Sequence, residues 1–502
     1  MTFFIALLPI LGIFFFLFFF KLTSLRAGII AYIMTIIITI FYSGYHLSPE
    51  NIIHSSVHGI LISFIAAYVL FFGIFLFHLI DSVGGIQSIA SFISQITNDR
   101  IMQVMILVVG LSPLIESTSG FGIAFMMIAP IFIALGFPPL KAALLGLVSM
   151  LAVPWGALAT GTVIGAELGG ISLQKLGIGT ALISTPVFAY FMIIAVFITG
   201  GFAAIKNKWK ELFILLIIFS SSILLFNSFV SVELAGVLSS LITTGAGLLM
   251  IKISSAKSDI SKTTTSQLSV STEVHGKINI LKVLSPYIIL TVMIFTSRIW
   301  TPFRQFLESH VVINLPTFSF SMALLYSPGF WLFVTCLFTI FIFKIRKKII
   351  FISLKKTLKQ WIPFTISTSA FVCISEVMAE AGMIATLASS TGAFFGNSFL
   401  LISPLIGGIG GFLTGSNTGS NAMFIKLQIQ TAEQVRLSSD LIAFTQNASS
   451  SHATMASPSR VMLGSALCGI QSQENQLLKI ISLIVLGSLL LILLTTLVIS
   501  LS

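Results

Sequence analysis

Charge is scarce in this sequence. Of 502 residues, 26 are Lys or Arg and 15 are Asp or Glu, together 8%, against about 25% in a soluble domain. So few charges cannot clothe a water-facing surface, and a soluble globular protein is excluded. Disorder is excluded by the opposite excess: hydrophobic residues reach 56% and Phe alone numbers 46, too much apolar material for a chain that stays unfolded. Cysteine is nearly missing. Cys336, Cys373 and Cys468 lie in apolar stretches, are odd in number and have no CxxC spacing, so neither a disulfide framework nor a zinc site is indicated. HExxH, GxSxG and a paired catalytic Asp are missing from the apolar segments, which argues against an intramembrane enzyme. No cofactor is implied. Acidic residues are the scarcer sign, leaving a net charge of +11. No basic stretch is interleaved with aromatics as in a nucleic-acid groove, so no nucleic acid is expected; the excess reads as basic loops held at the cytoplasmic face of a lipid bilayer.

What is present is apolar sequence in long runs. A spanning helix needs about 20 mostly apolar residues, and the runs predict an all-α polytopic membrane protein with roughly a dozen transmembrane helices. The first, Met1 to Phe20, is followed rather than preceded by Lys21 and Arg26, the reverse of a signal peptide, so it reads as a retained helix. Basic clusters set the orientation. Lys21 with Arg26, the Lys206–Lys210 group, the lysines of 252–282 and the dense set from Lys344 to Lys359 are all cytoplasmic in one consistent arrangement, with the N-terminus outside. Ser254 to Gly276 is rich in Ser and Thr without apolar period and reads as a cytoplasmic linker. The histidines at 46, 54 and 58 read as an outer loop, Glu167 and Asp440 as interfacial, and Lys141 and Lys426 as lying near helix ends. The expected units are N-terminal helices over 1–56, a first transport repeat over 57–200, connecting helices over 201–253, the linker over 254–282, further connecting helices over 283–354 and a second repeat over 355–502.

The repeats rest on register. Gly84-Gly-Ile-Gln-Ser-Ile-Ala-Ser91 resembles Gly382-Met-Ile-Ala-Thr-Leu-Ala-Ser389, at an offset of 382 − 84 = 298. Carried forward, that offset superposes the two most polar interruptions of the apolar sequence, Glu116–Gly122 and Thr414–Ser420. The span at 57–80 enters from outside, and its counterpart at 355–378 leaves from inside. Two inverted-topology repeats with broken helices or re-entrant hairpins are therefore expected, with a binding site where the breaks meet near the midplane. Non-helical backbone at membrane depth must be buried in protein or line a wet cavity, and a restarting helix offers free N–H groups to a carboxylate. Ser117, Thr118, Ser119, Gly120 and Gly122 in the first break, and Ser416, Asn417, Thr418, Ser420 and Asn421 in the second, are the candidate substrate-binding residues. Close helix packing through small residues is the competing reading of either break alone. Glu116 is an intramembrane acid, a functional candidate by default, and suits a proton carrier. A third polar stretch, Thr445 to Arg460, adds Arg460 as a bidentate carboxylate ligand and His452 as a proton relay.

At these residues the sequence resembles the lactate permease family of bacterial proton–monocarboxylate symporters. The matching stretches are Ile115-Glu-Ser-Thr-Ser-Gly-Phe-Gly-Ile-Ala124, Leu135-Gly-Phe-Pro-Pro-Leu-Lys-Ala-Ala143, Phe412-Leu-Thr-Gly-Ser-Asn-Thr-Gly-Ser-Asn-Ala-Met-Phe424 and Met455-Ala-Ser-Pro458. The resemblance implies a secondary active transporter of the bacterial inner membrane that imports L-lactate, D-lactate or glycolate with a proton. Homo-oligomers are compatible with it. A sodium-coupled carboxylate or dicarboxylate symporter is the alternative, since Ser, Thr and Asn oxygens in two such breaks would also suit sodium. The chain departs from the family in having Ser117-Thr118-Ser119 in place of Gly-Ala-Ala, and Ala453-Thr454 in place of a Gly-Lys pair. Arg460 is the cation nearest that second position.

Overall fold

A computed structural model of the chain describes residues 2–120, 122–258 and 280–501. The first half comprises α1 (Thr2–Phe18), α2 (Ser24–Phe41), α3 (Pro49–Ser82), α4 (Gly85–Ile96), α5 (Arg100–Ile106) and α6 (Ser112–Ser119). A π-helical stretch, Leu107–Leu111, joins α5 to α6. Then come α7 (Ile123–Ala134), α8 (Pro139–Val148), α9 (Gly156–Gly169), α10 (Leu173–Phe229) and α11 (Val232–Ser258). The second half opens with α12 (Ile280–Ile299), α13 (Thr301–Ser309), an antiparallel hairpin of β1 (Val312–Leu315) and β2 (Phe320–Ala323), and α14 (Pro328–Ile342). It continues with α15 (Lys347–Glu380), α16 (Met383–Phe395), α17 (Phe399–Thr414), α18 (Asn417–Gln434), α19 (Ser439–Ala453), α20 (Pro458–Leu467) and α21 (Glu474–Leu501).

The distribution of side chains is that of a protein solvated by lipid. Phe213, Phe341 and Leu490 lie exposed on the outside, whereas Gln428, Gln446 and Asn447 are fully buried. With no water at that depth, polar groups turn inward to find partners. Among the described residues nine helices are long and apolar enough to span, or ten if the bent pair α8–α9 counts as one. The dozen runs of the sequence differ from this for two reasons. The 57-residue α10 holds two of them end to end, bent at Gly200 and Gly201, and α1, α7 and α14 are apolar but short. Most of the expected linker, 259–279, lies outside the described residues; 254–258 extend α11.

Two placements correct the sequence reading. His54 and His58 belong to α3 rather than to an outer loop, because Ser48 caps that helix and Pro49 occupies its first turn, as helix starts favour. Lys426 sits in the middle of α18, not near its end.

The register of 298 recurs in the helix bounds. Adding it to Pro49 and Ser82 gives 347 and 380, the bounds of α15, and adding it to Gly85 gives 383, the start of α16. α3 and α15 pack along their length and run antiparallel. Cys373 Sγ donates to the Ser56 carbonyl at 3.2 Å, Trp361 Nε1 to that of Ala67 at 2.7 Å, and Ser353 Oγ to that of His78 at 3.4 Å.

Close approach between helices depends on glycine. On α17, a Cβ at Gly407 would meet Ser449 Oγ, and one at Gly411 would meet the Ser450 carbonyl of α19. This is the small-xxx-small spacing that lets backbones touch in a membrane. On α9, Gly161 and Gly165 likewise receive Asn417 and Asn421 of α18. Gly245 on α11 has nothing within 4 Å of such a Cβ. Gly411→Ala is therefore expected to lower unfolding stability by about 1–3 kcal/mol through overpacking, while Gly245→Ala stays within about 0.5 kcal/mol. Thermal unfolding in detergent, followed by tryptophan fluorescence, measures both.

Candidate functional site

Four half-helices start at one place. α7 begins after the break at Gly120–Gly122, and α18 after Gly415 and Ser416. α9 begins with a left-handed turn, Ala157, Leu158 and Ala159 having φ of 38°, 52° and 66°, so its regular part starts at Thr160. α20 begins behind the cap Ser457 and carries Arg460 in its first turn. The left-handed turn costs about 1–2 kcal/mol per residue. It is seated on Gly120, itself at φ 63°, where a Cβ would lie 2.6 Å from that of Ala157. The half-helices pair in parallel across the two halves of the chain. Gly161 and Gly165 of α9 face Asn417 and Asn421 of α18, while Gly122 and Gly464 face Arg460 and Phe125, joining α20 to α7.

Between these ends lies a small cavity, lined by Glu116, Gly120, Val153, Gly156, Thr160, Gly161, Gly415, Ser416, Asn417, Thr418 and Arg460. Glu116 and Arg460 are only 2% and 8% exposed. Gly122 and Ala124 direct their backbone N–H groups at the Glu116 carboxyl, and Arg460 acts on it by charge. The two side chains face the same cavity without forming an ion pair, and Glu116 Oε2 has no hydrogen-bond partner. Arg460 donates through one terminal nitrogen to the Gly415 carbonyl at 3.0 Å and through the other to Met150 Sδ at 3.2 Å. A guanidinium has five N–H donors, so several remain for a ligand. Each helix N-terminus adds a partial positive charge of about half a unit. A small anion is what such a cavity attracts.

A larger cleft of about 560 Å³ shares Gly415 and Ser416 with the cavity and is bounded by Thr23–Arg26 of the α2 start and by Pro363–Phe371 of α15. It is the open approach to the site.

Not every residue of the two breaks reaches the cavity. Gly120, Ser416, Asn417, Thr418, Glu116 and Arg460 line it, and Gly122 lies against Arg460. Ser117 turns toward Gly236 of α11, and Thr118 Oγ1 bonds back to the carbonyls of Leu114 and Ile115. Ser119 is buried and does not line the cavity. Ser420 and Asn421 point into a buried amide network instead. At its hub, Asn447 Oδ1 accepts from Asn417 Nδ2 at 2.9 Å and Asn421 Nδ2 at 2.8 Å. Its Nδ2 donates to Thr162 Oγ1 at 3.0 Å and Thr180 Oγ1 at 2.9 Å. Gln446 extends the network to Ser420 and Gln428. His452 lies outside the cavity lining, with Nε2 3.1 Å from Ser184 Oγ and its ring against Phe188 and Phe191.

The L-lactate permease family model matches residues 2–325 and 314–502. The chain belongs to the L-lactate permease family. It is 26% identical to an L-lactate permease of Streptococcus iniae over 441 residues, 86% of this chain and 91% of that protein. It is 26% identical to the glycolate permease GlcA of Escherichia coli over 522 residues and to the L-lactate permease of the same organism over 521, each covering 95% of this chain and 91% of the relative. It is thus a multi-pass membrane transporter and not an enzyme.

Sequence reasoning missed Thr160, Gly161, Asn447 and Glu376. Asn447 stood inside the polar stretch from Thr445 to Arg460 without being singled out. Glu376, in Cys373-Ile-Ser-Glu-Val-Met378, carried the same signal as Glu116, an acid within apolar sequence. Asn447 uses both donors and both acceptor positions of its amide. Asn447→Ala leaves two buried amide donors short of a partner, at about 1–3 kcal/mol each. A loss of about 3 kcal/mol in stability is expected, read as a fall in melting temperature of the purified protein.

Proposed function

We propose that the chain imports a short 2-hydroxymonocarboxylate, L-lactate, D-lactate or glycolate, together with a proton across the bacterial inner membrane. The observation that carries this reading is the pairing of Glu116 and Arg460 across one small cavity without mutual contact. A substrate carboxylate fits between them, on the free N–H groups of Arg460 and within reach of the half-helix starts at Ser416–Thr418 and Thr160–Gly161. An ionised Glu116 would repel it, by about 4 kcal/mol at 4 Å and an effective dielectric constant of 20. A protonated Glu116 removes that repulsion and donates a hydrogen bond instead. Binding of the anion and of the proton therefore favour each other, and the two cross together without net charge. The names of the lactate and glycolate permeases to which the chain is similar support the same substrate class.

In this reading residues from about 49 to 200 and from about 347 to 501 are inverted repeats, supported by the shared register and by the antiparallel run of α3 against α15. Arg26 and the lysines of 344–359 lie in the cytoplasm, so the cleft bounded by Thr23–Arg26 is the inner vestibule. Ser420, Asn421, Ser117, Thr118 and Ser119 hold the breaks in shape while the lining residues touch the substrate. His452 is a packing residue of the α10–α19 contact.

Uptake of labelled L-lactate into proteoliposomes under an imposed pH gradient tests the assignment. Glu116→Gln should lose acid-driven uptake yet retain lactate–lactate exchange at equal pH, because the neutral amide no longer repels the anion. Arg460→Gln should lose both, with affinity falling roughly ten- to hundredfold, the worth of charge-assisted hydrogen bonds of about 1.5–3 kcal/mol. Normal acid-driven uptake by Glu116→Gln, or a sodium requirement at fixed pH, would contradict the proton mechanism.

A further inference from the structure

Four helices bring one ionisable side chain each to a second point, where Glu376 is buried, His58 and Lys426 are partly buried and Glu167 is exposed. His58 of α3 places Nδ1 3.0 Å from Glu376 Oε2 of α15, and Lys426 of α18 places Nζ 2.5 Å from the other oxygen of the same carboxylate. Glu167 of α9 faces His58 by charge. The side chains of His58, Glu376 and Lys426 are 28%, 9% and 20% exposed. Cys373, one turn before Glu376, donates to the Ser56 carbonyl, and Tyr32 of α2 bonds Ser56 Oγ at 2.5 Å. His54 stands one turn before His58 on α3, with Nε2 2.7 Å from the Thr317 carbonyl; α6, which also packs on α3, turns Glu116 to the cavity instead.

The cluster is joined to the cavity by the two half-helices that wall it. Lys426 stands 426 − 417 = 9 residues beyond Asn417, and Glu167 stands 167 − 161 = 6 beyond Gly161, about 13 and 9 Å along a helix. It also lies beyond the vestibule along the two helices that bound both. α2 and α15 meet the vestibule at Thr23–Arg26 and Pro363–Phe371, and the cluster at Tyr32 and Cys373–Glu376. With His58 neutral, one cation faces two carboxylates; a proton on His58 balances the set and adds attraction between α3 and both α9 and α15.

We propose that His58, set between Glu376 and Glu167, is a second proton-binding site on the outer side of the carrier, and that its protonation draws α9, α15 and α18 onto α3 and shuts the outer path. The proposal rests on the reading of the cleft as the inner vestibule and of α9 and α18 as walls of the substrate path. It adds to the Glu116 mechanism a separate response to external pH.

Native Cys373 reports on this path. A membrane-impermeant maleimide is added outside right-side-out proteoliposomes, from about pH 8.5 to about pH 6, and labelling of the Cys373 peptide is followed by mass spectrometry. All forms share the ordinary fall in thiolate fraction, up to about tenfold per pH unit. The wild-type protein should slow by roughly a further tenfold on acidification, His58→Gln should show only the shared fall, and His58→Arg should stay protected throughout. Superposable pH profiles for the wild-type protein and His58→Gln would overturn the proposal; His58→Arg decides in the same way should the Gln form fail to fold. Lactate counterflow at equal pH in the same vesicles reads the transport assignment separately. Its loss with the labelling pattern intact counts against transport of lactate, and its presence with superposable labelling counts against the proton site alone.

Discussion

Four helix starts and one guanidinium meet at one small cavity, and the rest of the structure follows from that concentration of positive potential. A buried cation at membrane depth is costly. Here the cost is offset in parts: the Gly415 carbonyl and Met150 sulfur take two donors of Arg460, and Glu116 faces the same cavity without closing on it. What remains is an appetite for one more carboxylate.

Holding four helix starts together requires backbone to approach backbone, and the chain achieves this with glycine on one side and amides on the other. Gly161 and Gly165 let α9 lie on Asn417 and Asn421, whose side chains in turn converge on Asn447. Interhelical hydrogen bonds in membranes are modest singly, about 0.6 kcal/mol on average. Their value here is register. Asn447 accepts from α18 and donates to Thr162 of α9 and Thr180 of α10, so one amide fixes three helices relative to the cavity they enclose.

Much of this was legible in the sequence, for physical reasons that also mark the limits. The register of 298 carries the bounds of α3 onto those of α15, and two long uninterrupted helices that span the same thickness have the same length. Glu116 and Arg460 stood out because ionisable groups are rare in apolar sequence and are kept only where they act or pair. The same rule applied to Glu376, which went unremarked inside a helix whose other end is crowded with lysines. What the sequence could not tell was direction around a helix at a break. Ser117 and Ser416 are alike in type and setting, yet one packs against Gly236 and the other lines the cavity. His452 reads as a relay by composition and is lodged between Phe188 and Phe191. The partners of Asn447 lie up to 285 residues away, beyond any local pattern.

The central claim is that a substrate carboxylate occupies the gap between Glu116 and Arg460. A cryo-EM map of the protein in lipid nanodiscs with saturating L-lactate tests it most directly. The account predicts density for one lactate with its carboxylate within hydrogen-bond distance of the Arg460 guanidinium and of a Glu116 oxygen, bounded by Ser416–Thr418 and Thr160–Gly161. Lactate bound elsewhere, with Glu116 and Arg460 closed into a direct ion pair, would contradict it.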